Sequence, residues 1–65
     1  MAAYLITYLN EGNELLITET VFMRNLIAAK SSATSAAPNM TYTIVISDVA
    51  GEPLATKESG KWKNI

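Results

Sequence analysis

The spacing of apolar positions changes several times along the chain, and each change predicts an element. The first run, AAYLITYLN (Ala2 to Asn10), is apolar on both of its alternating rows. That pattern suits an inner strand covered on both sides, or on one side by the chain and on the other by a partner. EGN follows as a short turn, and ELLITE (Glu14 to Glu19) reads as the returning strand of a hairpin. The period then lengthens. Phe22, Leu26 and Ala29 fall at i, i+4 and i+7, flanked by Met23 and Ile27, which predicts a helix from about Thr20 to Ser31. Thr18 or Thr20 would cap it, with Glu19 and Lys30 suiting its two dipole ends. SSATSAAPN (Ser31 to Asn39) is small, polar and closed by a proline, and reads as a flexible connection. TYTIVISD (Thr41 to Asp48) is the clearest strand, dense in β-branched residues. VAGE makes a turn, PLATKE a short strand, and KWKNI a last strand, with hairpin turn chemistry at Glu58-Ser59-Gly60-Lys61.

The order β-β-α-β-β-β predicts an α+β fold: a single antiparallel sheet of about five strands, with one helix packed on one face. Leu5, Leu9, Leu16, Phe22, Leu26, Ile44, Ile46, Leu54 and Trp62 are the expected core. If Leu5 and Leu9 face the helix, strict alternation sends Tyr4, Ile6 and Tyr8 to the other face. An exposed Tyr4-Ile6-Tyr8 row would be a patch for a partner or for a homodimer.

Composition narrows the picture. Sixty-five residues make one small domain, residues 1–65. A chain this short buries only about 60% of its unfolded surface, so its stability is marginal. It has no cysteine and no histidine, which removes disulfides, cysteine-based zinc sites and the commonest general base. The 49% apolar content helps to build a small core and suggests that another chain covers some apolar surface. A net charge of −1 argues neither for a nucleic-acid mimic nor for a general DNA binder. MAAYLITYL lacks a basic leader and a cleavage site, and no apolar run reaches the roughly 20 residues of a membrane span. A cytoplasmic protein with no membrane association is therefore expected.

Catalytic chemistry is thin. Asp48 and Glu52 bracket a turn and need no cation to explain them, the three glycines are isolated turn residues, and no serine or threonine has an activating partner. The expectation is a non-enzyme with no catalytic residues, no metal and no cofactor. The sharper signal is the KESGKWK segment, with Lys57, Lys61, Lys63 and Trp62 within seven positions. Alternation sends Lys61 and Lys63 outward and Trp62 toward the core, which leaves the lysines as a docking edge or as edge-strand guards. Lys30 and Arg24 on the helix could join them, and Tyr4 and Tyr8 complete the set of candidate partner-binding residues.

Two stretches then acquire a family likeness. The opening AAYLI and the closing LATKESGKW resemble small phage and prophage proteins, among them an anti-CRISPR family that inhibits the type I-F surveillance complex. Lys30 falls where that family has a helix-terminal lysine, and Lys57 and Lys61 match the lysines of its closing motif. The resemblance implies a five-stranded sheet with one helix. It also implies stoichiometric binding to a host CRISPR surveillance complex, or another defence protein, that blocks target DNA in the host bacterial cytoplasm. Such complexes hold the guide heteroduplex in a basic channel, so an inhibitor needs surface complementarity and no active site. The alternatives are a small homo-oligomeric structural or regulatory phage protein, and a weak nucleic-acid-binding accessory protein.

Overall fold

The computed structural model describes all 65 residues. The elements run β1 (Ala2–Leu9), β2 (Leu15–Met23), α1 (Leu26–Ala36), β3 (Thr43–Ser47), β4 (Pro53–Glu58) and β5 (Lys61–Asn64). The five strands form one open antiparallel sheet in the order β2-β1-β3-β4-β5, with α1 laid across one face. The fold is α+β, and β1 sits second from one edge rather than at an end.

The second strand is longer than the hydrophobic period predicts, and the helix starts later. β2 continues through Thr20-Val21-Phe22-Met23, because that run is β-branched and aromatic and finds a full-length partner in β1. The ladder extends from Ala2 opposite Met23 to Tyr8 opposite Ile17, with an irregularity between Tyr8 and Leu9. Phe22 is therefore on a strand, 65% exposed, and not on the core stripe of a helix. Neither Thr18 nor Thr20 caps anything. Asn25, extended at φ −159°, caps the helix by accepting the Ala28 amide at 2.9 Å. α1 then absorbs Ser31 to Ala36, two-thirds of the segment expected to be a flexible connection. Isolated propensity does not favour serine and threonine there, but Ala33 is fully buried together with Ala29, and tertiary packing holds the turn. Lys30 is consequently a mid-helix residue. Since α1 has no acidic residue in its first turn and no basic residue in its last, the asparagine cap carries its end chemistry alone. Asn25→Ala should cost about 1 kcal/mol in denaturant unfolding, and Asn25→Asp should restore most of it.

The core lies on the face opposite to the expected one. Tyr4, Ile6 and Tyr8 are 8%, 0% and 1% exposed, and they pack with Ala29, Ala33, Ile44 and Ile46. They are not an exposed Tyr4-Ile6-Tyr8 row, and no homodimer face can be built on them. Leu5 and Leu9, on the alternate row, face away from the helix. Register explains the choice. Ile6 opposes Ile46 and Tyr8 opposes Ile44 across β1 and β3, whereas Leu5 opposes Ser47 and Leu9 opposes Thr43. One face thus collects the isoleucines, and the other sets Leu5 and Leu9 against serine and threonine, with Thr7 against Val45. The pair of alanines on α1 lets the helix approach these large side chains closely. Of the other expected core residues, Leu26, Leu54 and Trp62 pack against the core half-buried, and Leu16 lies exposed on β2.

The last hairpin closes as its sequence predicts. Ser59 and Gly60 both take positive φ (51° and 80°), the geometry of a two-residue turn whose twist matches that of the strands. Glu58 then faces Lys61, and Lys57 faces Trp62.

Candidate protein-docking site

Strand pairing divides the lysines between the two faces of the sheet. Lys57 lies directly across from Trp62 and beside Ile44, which puts both on the helix side. Lys61 and Lys63 oppose Glu58 and Thr56 and project to the open face. The helix contributes Lys30 from above. Its ammonium lies 5.7 Å from the Trp62 ring centroid and that of Lys57 lies 5.8 Å from it, so one indole holds two cations. Each such contact is worth about 0.5–1 kcal/mol at a partly exposed site. Neutral acceptors complete the arrangement: Lys30 Nζ donates to Asn64 Oδ1 at 2.5 Å, and Lys57 Nζ to Thr34 Oγ1 at 3.4 Å. Both cations are therefore positioned with their charge uncompensated by these partners.

Trp62 itself is half-buried against the core. It packs as the sequence suggests, and it also serves as the platform that orders two lysines. With two ammonium groups within 6 Å, the ring offers less free face for stacking a nucleobase.

Lys57 has a second neighbourhood. It forms one wall of a groove of 490 Å³ whose other walls include Thr34, Pro38, Met40, Thr41 and Tyr42. The loop that makes the groove is tied down at both ends. Thr41 Oγ1 donates to the Pro38 carbonyl at 2.7 Å, the Tyr42 amide donates to the Leu9 carbonyl at 2.8 Å, and the Tyr42 hydroxyl meets Ser59 Oγ at 3.0 Å. Between these ties Met40 adopts φ 75°, a left-handed conformation that is unfavourable for a side-chain-bearing residue, and it is 75% exposed. Tyr42 is 43% exposed beside it. An ordered loop thus presents a methionine and a tyrosine to solvent next to two positioned lysines. Nothing in the local pattern NMTY singled out Met40 and Tyr42. Their exposure depends on how the loop crosses between β1 and the β4–β5 turn.

The remaining candidates lie elsewhere. Arg24 is exposed between β2 and α1, at the far edge of the sheet from β5. Tyr4 and Tyr8 are core residues and not available to a partner. Asp48 organises its turn: Oδ1 accepts the amides of Ala50 and Glu52, both at 2.9 Å, with Gly51 at φ 89°. Among histidine, cysteine, aspartate and glutamate side chains there is no group of three placed to hold a metal. No helix is long and apolar enough to cross a membrane.

The site is therefore a basic, aromatic surface built by α1, β4, β5 and the loop from Ala37 to Tyr42. Compared with known proteins, the chain matches no family model, no curated sequence and no solved structure.

Proposed function

We propose that this protein acts by stoichiometric contact with another protein, as an anti-defence inhibitor of the phage-encoded kind that its terminal motifs resemble. Its target would be a host CRISPR surveillance complex or another defence protein in the bacterial cytoplasm, which it blocks from its DNA. The observation that supports this is the pairing of Lys30 and Lys57 on Trp62, beside a groove rimmed by exposed Met40 and Tyr42. Aromatic residues and methionine are enriched at the centres of protein interfaces, and positioned cations select an acidic rim. Cations held in place before binding lose less entropy on contact than free lysines do. A phosphate-tracking surface would favour an aromatic face open to bases, and here the lysines occupy it.

The test is recovery of tagged protein from a lysate that contains CRISPR surveillance complexes, together with a plasmid-challenge assay of interference. The expected result is a stoichiometric complex and loss of interference. The double variant Lys30→Glu, Lys57→Glu should weaken binding tenfold or more, with the circular-dichroism spectrum unchanged. An intact interference response to the wild-type protein would overturn the reading. So would affinity for DNA or RNA that falls steeply with salt while no protein complex forms.

A further inference from the structure

An open sheet has two free edges, and here they are defended very differently. β5 has four residues, and Lys61 and Lys63 stand among them, so it is short and charged. Both features deter pairing with another strand. β2 has nine residues, LLITETVFM, without proline, glycine, lysine or arginine, and nothing lies beyond it in the sheet. Leu15, Ile17 and Phe22 are 63%, 47% and 65% exposed along it. A long apolar edge of this kind is a template for an added strand.

One charged residue interrupts the edge, and its position says what kind of strand fits. Glu19 stands at the centre of β2, opposite Ile6. Its Oε1 accepts the Tyr8 hydroxyl at 3.0 Å, a neutral partner. Lys57, Lys61 and Lys63 are on β4 and β5, across the sheet from it, and the Lys30 ammonium of α1 is held at Trp62 on β5. A second copy is a poor occupant. In the fully overlapped antiparallel dimer, Glu19 would face its own symmetry mate, and like charges directly opposite destabilise a ladder. Register shifts must be even to keep the faces matched. A shift either way sets the carboxylate against Ile17 or Val21 and sacrifices residues at each end. A strand with a basic side chain at its middle has none of these conflicts.

We infer that the free edge of β2 receives an extended segment of another protein, with a lysine or arginine opposite Glu19 and apolar residues opposite Ile17 and Val21. This surface lies at the opposite edge of the sheet from the Trp62 site and does not depend on it.

Two capped nine-residue probes test the inference: TLVTKTVLT, which places lysine opposite Glu19, and TLVTETVLT, which places glutamate there. Each is titrated into the isotope-labelled protein and followed through its amide resonances. The expected result is shifts centred on Leu15–Met23, with the lysine probe bound three- to tenfold more tightly. Glu19→Gln keeps an acceptor for Tyr8 and should abolish the preference, and Lys30→Glu, Lys57→Glu should leave it unchanged. Three outcomes would overturn the inference: no shifts on β2 with either probe, equal affinities for the two probes, or a β2-paired dimer of the protein alone.

Discussion

Ile6→Ala should remove a large part of the domain's stability, whereas Leu5→Ala should cost less than half as much. Ile6 is fully buried at the middle of β1, between the half-buried Glu19 on β2 and the fully buried Ile46 on β3. Truncating a buried isoleucine costs about 2–5 kcal/mol, from lost transfer energy plus the cavity left behind. A domain of this length has only about 3–10 kcal/mol of total stability, so the upper part of that range consumes most of it. Leu5 sits on the open face opposite Thr20 and Ser47, where truncation leaves no enclosed cavity. Urea unfolding of both variants, with Ile6→Val as the conservative control, checks the assignment. A reversed ranking would mean that the helix covers the other face.

The second large effect is alkaline. The Tyr8 phenol is pushed up from 10.0 to about 12, first by burial and then by its hydrogen bond to Glu19 and the charge of that carboxylate. A raised folded-state value means that this contribution is fully present below pH 10 and lost as the pH climbs from 10 through 12. In that window the unfolded chain ionises its tyrosine and the folded chain resists. The loss amounts to at most about 2–3 kcal/mol. Tyr8→Phe should behave oppositely on either side of the window. At pH 9 it is less stable than wild type by about 1 kcal/mol, the net worth of the hydroxyl's hydrogen bond. Near pH 11.5 it should be the more stable of the two, because it has no phenol to ionise. Lysine deprotonation affects both proteins alike and cancels in the comparison. Guanidinium unfolding at the two pH values gives the sign directly, and the absence of a crossover would remove the Tyr8–Glu19 pair as its cause.

These expectations rest on particular residues that were unequally legible in the sequence. The terminal hairpin was readable because Ser59-Gly60 carries its own turn chemistry, and Ile44 and Ile46 were readable because the other row of β3 holds Thr43 and Ser47 at its ends, with only Val45 apolar between them. The start of α1 was not. Phe22, Leu26 and Ala29 satisfy helical spacing, while Val21 and Met23 satisfy strand spacing, and no local rule ranks the two. The full-length ladder with β1 decides for the strand. Ser31 to Ala36 looked like a linker because serine and threonine are weak helix formers, and only the sheet beneath Ala33 makes the helix worthwhile. At the candidate site, alternation alone placed Trp62 inward and Lys61 and Lys63 outward. The convergence of Lys30 and Lys57 on one indole required the long Lys30 side chain to reach from α1 to Trp62 on β5.

By itself, then, the sequence determined the number and type of elements, the antiparallel hairpins and the absence of cysteine and histidine chemistry. Those properties follow from composition and from interactions between residues close in the chain. Tertiary structure decided which row of β1 is core, where β2 ends, and which lysines share a face with Trp62. β1 is apolar on both rows, so its orientation carries no local signal. The choice falls to the register that aligns Ile6 with Ile46 and Tyr8 with Ile44, burying all four under one helix with the half-buried Val21 beside Tyr4, while Leu5 and Leu9 on the alternative row meet Thr20, Ser47 and Thr43.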